Sequence, residues 1–374
     1  MLIGIDASRA AVQHRTGTET YSVYVIRELL QLGRQHQFRL YTNGALPADL
    51  LWSGAAPAHV EVRSIPFRRL WTHMRLSWET LIHEPDVLFI PAHVLPLFHP
   101  RRSIVTVHDL GYLHHPEAHT SRARRYLDWS TRWNAHRATA VLADSEATRS
   151  DLIRFYGAAP EKIHVVYLGR DAGLTRVIDP LRLHEMCARY GLEGRYLLYV
   201  GTLQPRKNLE RVVHAFERIC GRPDLADLQL VLAGKQGWLY ETLFRQVAHA
   251  GLQGRVIFPG YVADEDLGAL LSGADAFVFP SLYEGFGIPV LEAGGCGVPV
   301  ITSNTSSLPE VAGDAALLVD PLDVDAIADA MYRLVTDASL RAELARRGLE
   351  NVKRFSWEKC AAETLAVLES VAEK

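Results

Sequence analysis

The chain reads as an α/β protein made of two doubly wound domains, each a parallel sheet covered by helices, and three observations carry that reading. Short apolar runs alternate with longer amphipathic stretches along nearly the whole length, as parallel strands joined by helical crossovers require. The alternation breaks once, between Leu168 and Pro180, where Gly169-Arg170-Asp171-Ala172-Gly173 interrupts the period and a proline closes the segment. Finally, 374 residues with 48% hydrophobic content can bury two cores of this kind. The expected domains are therefore 1–170 and 180–355, two Rossmann-like halves facing a central cleft.

In the first half, apolar runs place strands at 2–6, 38–42, 60–64, 87–90, 104–107, 140–143 and 164–167. Amphipathic stretches place helices at 18–32, 70–83, 121–136 and 145–156, the last capped by Ser145 with Thr148 and Asp151 in its first turns. After the break, strands follow at 196–200, 229–233, 256–258, 276–279, 300–302 and 316–319, with helices between them. Three further helices are expected at 323–335, 340–352 and 357–371.

A formal charge of −3 leaves no overall footprint for nucleic acid, so any attraction to acidic partners must be local. Cys187, Cys220, Cys296 and Cys360 are scattered without paired metal-ligand spacing, which favours reduced thiols in a cytosolic protein. The opening Met1-Leu2-Ile3-Gly4-Ile5-Asp6 turns acidic too soon for a signal peptide and reads as a first strand. No apolar run approaches the roughly 20 residues that span a bilayer. A cytoplasmic protein, with room for contact at the inner membrane surface, is expected.

In open parallel sheets ligands bind beyond the carboxyl ends of strands, so the informative residues should follow strands. The strongest such stretch is Phe277-Val278-Phe279-Pro280-Ser281-Leu282-Tyr283-Glu284-Gly285-Phe286-Gly287-Ile288-Pro289-Val290-Leu291-Glu292, a strand, a loop and a helix start. Unpaired backbone N–H groups and the positive end of the helix dipole make such a junction an anion site. Two carboxylates beside it make sense if the ligand also carries hydroxyl groups, and a phosphate joined to sugars is such a ligand. Upstream, Gly201-Thr202-Leu203-Gln204-Pro205-Arg206-Lys207-Asn208-Leu209 puts adjacent cations at a helix start, where they oppose the dipole. A bound diphosphate reverses that sign, because forked arginine and compact lysine both suit phosphate oxygens.

Other segments are less specific. The Arg15-Thr16-Gly17-Thr18-Glu19 loop runs into a helix that Thr16 or Thr18 could cap, and it reads either as a plain capped start or as a loop closing on phosphate or acceptor. His108, followed by Asp109 at a strand's carboxyl end, is a candidate catalytic group. His114, His115 and His119 invite a metal reading that no cysteine or carboxylate cluster completes, so neither a metal ion nor a cofactor is expected. Gly234-Lys235 and Gly260-Tyr261 follow strands and suit either close approach to a flat base or ordinary turns. No Gly-x-Gly-x-x-Gly follows the first strand of either half and no P-loop occurs, which weakens dinucleotide-oxidoreductase and NTPase readings. The basic, aromatic stretches 67–78 and 121–133 suit an anionic or lipid-linked acceptor or a membrane surface, with ordinary amphipathic helices as the alternative.

With these residues in view, the sequence resembles the retaining glycosyltransferases of family 4, also called glycosyl transferases group 1, which have the GT-B fold. The resemblance rests on the acid, seven residues and acid of Glu284 to Glu292, on 201–209, on 258–267 and on Thr302-Ser303-Asn304-Thr305-Ser306-Ser307-Leu308-Pro309-Glu310-Val311. It implies that Arg206 and Lys207 hold the donor diphosphate, that Glu284 contacts the donor sugar, and that Gly285, Phe286 and Gly287 lend backbone N–H groups. Glu292 would accept from ribose hydroxyls, with Gly17, Thr202, Gly234, Tyr261 and Ile288 completing the donor site. His108 would lie near the transferred sugar from the acceptor-side first domain, onto which the last helix, 356–374, would pack. The resemblance also implies metal-independent transfer of a hexose from a nucleoside diphosphate sugar to a glycan or lipid-linked acceptor. Retention would follow from front-face attack, the leaving phosphate taking the acceptor proton. Similarity of Gly234-Lys235-Gln236-Gly237-Trp238 to mannosyltransferases points to GDP-mannose. A sugar-nucleotide epimerase of the same architecture and a noncatalytic nucleotide-sugar binding protein are the rival readings.

Overall fold

A computed structural model of the chain describes residues 1–12, 17–46, 48–52, 54–67, 69–92, 94–235, 237 and 240–373. It comprises two compact units, Met1–Gly169 with Phe355–Lys374, and Arg170–Arg354.

The first unit is built on a seven-stranded parallel sheet in the order β3-β2-β1-β4-β5-β6-β7. Its strands are β1 (Leu2–Asp6), β2 (Gln37–Thr42), β3 (Val60–Ser64), β4 (Val87–Ile90), β5 (Ser103–Val107), β6 (Ala140–Ala143) and β7 (Ile163–Val165). Strands β4, β5 and β6 are buried at every position, which is why β4 and β6 read as unbroken apolar runs and β5 as one broken only by Ser103 and Thr106. Edge strand β3 instead carries exposed Glu61 and partly exposed Arg63, charges that discourage pairing with a further strand. The order reverses between β1 and β4, leaving a crevice at their carboxyl ends. Helices α1 (Gly17–Leu32), α2 (Ala48–Leu51), α3 (Ser77–Ile82), α4 (Gly111–His114), α5 (Ser121–Arg137) and α6 (Glu146–Tyr156) connect these strands. Ser145 caps α6 as expected, its hydroxyl accepting from Thr148 N at 3.0 Å.

Two expectations need correction in this unit. The helix expected at 70–83 is a π-helical turn, Thr72–Leu76, running into α3. A π turn brings residues five apart onto one face, and buried Trp71 and Leu76 have that spacing. The Trp71 indole donates to Ile65 O at 2.9 Å, anchoring the entry. The strand expected at 164–167 is β7, ending at Val165, although Val166 N still donates to Ala143 O at 2.9 Å.

The second unit holds a six-stranded parallel sheet in the order β10-β9-β8-β11-β12-β13. These are β8 (Tyr196–Val200), β9 (Gln229–Ala233), β10 (Val256–Gly260), β11 (Ala276–Phe279), β12 (Val300–Ser303) and β13 (Ala316–Val319). Its switch point lies between β8 and β11. Around the sheet run α7 (Pro180–Tyr190), α8 (Leu209–Cys220), α9 (Tyr240–His249), α10 (Asp264–Ser272), α11 (Ile288–Gly295), α12 (Leu308–Ala312), α13 (Val324–Thr336) and α14 (Ala338–Asn351). Helix α7 is an element the periodicity did not reveal. Asp179 caps it through Leu181 N at 3.0 Å, and Pro180, read above as the close of a linker, occupies its first turn, where no N–H is needed.

The last helix, α15 (Trp357–Glu373), belongs to the first unit and packs along α1. Trp357 stacks on Tyr24 with ring centroids 5.1 Å apart. Where the chain leaves this unit, a β-carbon on Gly169 would fall 2.2 Å from Trp357 N, so only glycine fits against the returning backbone. Gly169→Ala is expected to lower stability by about 2 kcal/mol or more through overpacking. Gly44→Ala, which meets open space, should leave the unfolding midpoint almost unchanged in the same denaturant titration.

Candidate active site

The residues singled out in the second unit gather at the carboxyl ends of β8 and β11, beside the switch point. Two loops lie side by side there, one after each strand, joined by Leu282 N donating to Arg206 O at 2.9 Å. Arg206 donates to Tyr283 O at 2.7 Å and reaches Glu284 Oε2 at 3.4 Å. Lys207 Nζ contacts Glu284 Oε1 at 2.5 Å and lies 4.9 Å from the Phe279 ring centroid. Burial alone would raise the Glu284 carboxyl, but the Lys207 and Arg206 charges beside it outweigh that and hold it below the usual carboxylate range. Glu284 is therefore an anion at neutral pH, locked against two cations.

Backbone geometry sets this cluster. Asn208 adopts φ 63°, a left-handed conformation that asparagine tolerates, at the turn into α8. Its amide donates to Pro280 O at 3.0 Å and to Pro321 O at 2.6 Å, tying the Arg206-Lys207 loop to the β11 loop and to the chain beyond β13. Gly287 has φ 114° at the start of α11, and a β-carbon there would meet Leu308 at 2.8 Å. Behind the Glu284 loop, Ser306 Oγ accepts from Glu284 N at 3.1 Å, and Ser307 Oγ donates to Phe286 O at 2.7 Å and approaches Glu284 O at 3.0 Å. Sequence reasoning assigned Asn208, Ser306 and Ser307 no role. The signal for Asn208 was its residue type between a basic turn and an apolar helix; for the serines it was the 302–311 stretch, which carries the family resemblance.

The remaining candidates occupy neighbouring loops. Gly285 and Phe286 are buried and Ile288 partly buried, whereas Thr202 is exposed and its carbonyl accepts from Tyr199 at 3.1 Å. Gly234, at φ 138°, needs its missing side chain for contact with the backbone of Gly201, whose carbonyl oxygen would lie 2.0 Å from a β-carbon. Tyr261 is 60% exposed, donates to Asp264 Oδ1 at 2.8 Å, and has Lys235 Nζ 5.4 Å from its ring centroid. Glu292, on α11, has its carboxyl pushed up to about 7, first by burial and then by the charge of Asp171, with Arg170 opposing and Asp264 adding a smaller push. Gln236 and Trp238 of the 234–238 stretch lie outside the described residues.

In the first unit, His108 follows β5 with Nδ1 2.7 Å from Asp144 Oδ2 and Nε2 2.9 Å from Pro91 O. Gly17 opens α1 and is exposed; Arg15 and Thr16 before it lie outside the described residues. Of the three clustered histidines, His114 faces Asp151 at 2.7 Å and His115 faces Glu117 at 3.1 Å. Among the described residues, no group of three or more histidine, cysteine or acidic side chains could hold a metal ion.

Each unit carries a Rossmann-like parallel sheet, and comparison with known proteins shows the class to which the chain belongs, the glycosyltransferases of the GT-B fold. Models of two families match: Glycosyltransferase Family 4 over residues 15–174 and Glycosyl transferases group 1 over residues 190–351. The chain belongs to the glycosyltransferase family whose two halves these models describe. It is 35% identical over 301 residues to the O-antigen chain mannosyltransferase B of Escherichia coli, covering 80% of this chain and 76% of that one. It is also 33% identical over 240 residues to the MMP alpha-(1->4)-mannosyltransferase of Mycolicibacterium hassiacum, covering 63% and 55%. Among solved structures, Anabaena HepE in complex with UDP and glucose superposes with a TM-score of 0.76 at 17% identity, over 99% of both chains.

Because Glu292 binds its proton more tightly when folded, stability falls as pH rises from its ordinary value of 4.5 to about 7, then levels off. Glu292→Gln removes this loss. Its melting temperature relative to the parent should therefore rise by several degrees between pH 5 and pH 8 in parallel calorimetric scans, and an unchanged difference would contradict the assignment.

Proposed function

We propose that this glycosyltransferase moves a hexose, with retention and without a metal ion, from a nucleoside diphosphate sugar to a hydroxyl of a glycan or lipid-linked acceptor. The observation that carries the reading is the Arg206–Lys207–Glu284 cluster, in which two cations share one carboxylate beside the start of α11. An incoming diphosphate is the better partner for both cations, since it brings more charge and more acceptor oxygens. Its arrival frees Glu284 to accept from sugar hydroxyls, while the Arg206 bond to Tyr283 O keeps the guanidinium in place. In the transition state the C1–phosphate bond breaks as the acceptor oxygen attacks the same face, and the acceptor proton passes to the leaving phosphate. Charge grows on that phosphate, where Arg206, Lys207 and the N–H groups of Gly285, Phe286 and Gly287 would stabilise it most. Glu292 would take the ribose hydroxyls, with Thr202, Gly234, Tyr261 and Ile288 around the nucleotide and Gly17 and His108 serving from the first unit.

The donor in this reading is GDP-mannose. Exposed Tyr261 offers a face for the base, Lys235 a cation for its carbonyl oxygen, and Asp264 a carboxylate for adjacent N–H donors. Guanine presents that set of groups on one edge, whereas uracil lacks the paired donors. The mannosyltransferase relatives support the same choice.

A membrane-facing acceptor is supported by the first unit. Met74, Trp78, Leu81 and Ile82 are 56%, 62%, 52% and 55% exposed, and their spacing puts them along one face of the π turn and α3, with Leu70, 65% exposed, just before the turn. Phe98, 65% exposed, joins them through its N–H to Ser77 Oγ at 3.3 Å. Exposed Trp129 of α5 borders the patch through an edge contact with His73, centroids 5.6 Å apart. Arg122, Arg124, Arg125, Arg132 and Arg137 face a single acid, Asp128, within α5, although the whole chain is net negative. Exposed apolar side chains and an arginine-rich helix in the same unit suit an anionic lipid surface. Arg68 of this stretch lies outside the described residues.

Thermal unfolding against GDP-mannose, UDP-glucose and ADP-glucose tests the donor: GDP-mannose should raise the midpoint most, because it stabilises only the folded state. Lys207→Ala and Glu284→Ala should each lower kcat by about 100-fold or more, and near-native turnover by either purified variant would overturn the assignment. The paired change Met74→Ser and Trp78→Ser should weaken flotation with phosphatidylglycerol vesicles by about tenfold while leaving the donor-induced shift intact.

A further inference from the structure

The two nitrogens of His108 both face acceptors. Nδ1 is 2.7 Å from the Asp144 carboxylate and Nε2 is 2.9 Å from the Pro91 carbonyl, which can only accept. A neutral imidazole has one N–H and one lone pair, so a neutral ring beside a carboxylate would set one lone pair against another at hydrogen-bond distance. Protons are needed at both contacts.

We propose that His108 is held as an imidazolium at working pH, with Asp144 as its counter-ion and positioning residue, and that it acts as a fixed positive charge and not as a base. Asp144 is 2% exposed and its second oxygen, Oδ1, is buried with no hydrogen-bond partner among the described residues, so removing the His108 charge would strand a buried anion. The Tyr21 ring meets the imidazole edge to face, centroids 4.8 Å apart at 76°, which suits an aromatic ring beside a cation. Tyr21 is itself held by its contact with Thr106 Oγ1 at 3.0 Å and by Trp357 of α15, 6.1 Å away between centroids.

Among the described residues, the titratable groups acting on the His108–Asp144 dyad are Asp109 on the same loop as His108, Tyr21 from α1 and Cys360 from α15. Burial keeps the Tyr21 hydroxyl and the Cys360 thiol protonated, so neither adds charge. Burial disfavours the imidazolium, but the Asp144 charge and hydrogen bond, the Pro91 carbonyl and Asp109 outweigh it and raise His108 above its ordinary range. Burial also pushes Asp144 up, so the two groups compete for the proton between them. The imidazole, intrinsically the stronger base, retains it.

An imidazolium cannot take the acceptor's proton. If the dyad serves at the transferred sugar, as the proposed function has it, that proton must go elsewhere, and the leaving phosphate is the base available. The charge state stands or falls independently of that placement.

Nitrogen-15 NMR of the full chain, with selectively labelled histidine and His108 identified by the signal lost in His108→Gln or through its backbone assignment, tests the charge state. Both ring nitrogens of His108 should show protonated-type shifts from pH 6 to pH 8, and an unprotonated-type nitrogen at pH 7 would overturn the proposal even if transfer proceeds as described. In Asp144→Asn the ring should titrate as an ordinary histidine. The kcat profile of this variant should then gain an inflection near pH 6.5 and fall about tenfold above it, with the donor KM little changed. A loss of kcat uniform across pH, with the ring still doubly protonated, would show Asp144 to be structural only. Should Asp144→Asn not fold, the parent spectrum alone decides.

Discussion

The pairing of Lys207 and Arg206 with Glu284 is the constraint to which the second unit answers. Two cations at the start of a helix are unfavourable on dipole grounds, and a buried carboxylate is unfavourable on solvation grounds. Placed 2.5 Å and 3.4 Å apart, they remove much of each other's cost. The arrangement stays polarisable, because two positive groups share one negative group.

Holding that cluster takes backbone conformations that few residues accept. Asn208 turns left-handed to bring its loop under the β11 loop, Gly287 does the same at the start of α11, and Ser306, at φ 55°, presents its hydroxyl to Glu284 N. Each of these turns lies beyond the carboxyl end of a parallel strand, where the sheet no longer supplies hydrogen-bond partners to the backbone. Side-chain amides and hydroxyls take over that task. The charged groups are thus positioned by neutral ones, which is the usual division of labour when a site must stay rigid before its ligand arrives.

The first unit follows the same logic with different chemistry. Its buried strands carry His108 and Asp144 at adjacent carboxyl ends, β5 and β6 being paired in register from Ile104 with Ala140 to Val107 with Ala143. α15 returns to brace Tyr21 against the imidazole. Its outer face breaks the ordinary pattern, since the π turn after Trp71 buries two residues five apart and leaves apolar side chains in solvent. A helical period of 3.6 could not have shown that, and the expected helix over 70–83 was accordingly drawn as one regular helix.

The sequence by itself determined the two parallel sheets, since strands buried on both faces are predominantly apolar and their spacing by helices is visible as composition. It also marked Glu284, Arg206, Lys207 and His108, because polar residues beyond strand ends stand out against apolar surroundings, and Glu292 through the acid, seven residues and acid it forms with Glu284. Helix α7 was legible in Asp179 and Pro180 but was masked by the habit of taking proline as an ending. Only the tertiary structure decided that Glu284 rests on Lys207, that Gly234 is required by Gly201, that Asn208, Ser306 and Ser307 hold the loops, and that both nitrogens of His108 meet acceptors. These are contacts between residues roughly 20 to 110 positions apart. Their distances and directions depend on strand order and turn geometry, which a linear pattern of residue types does not encode.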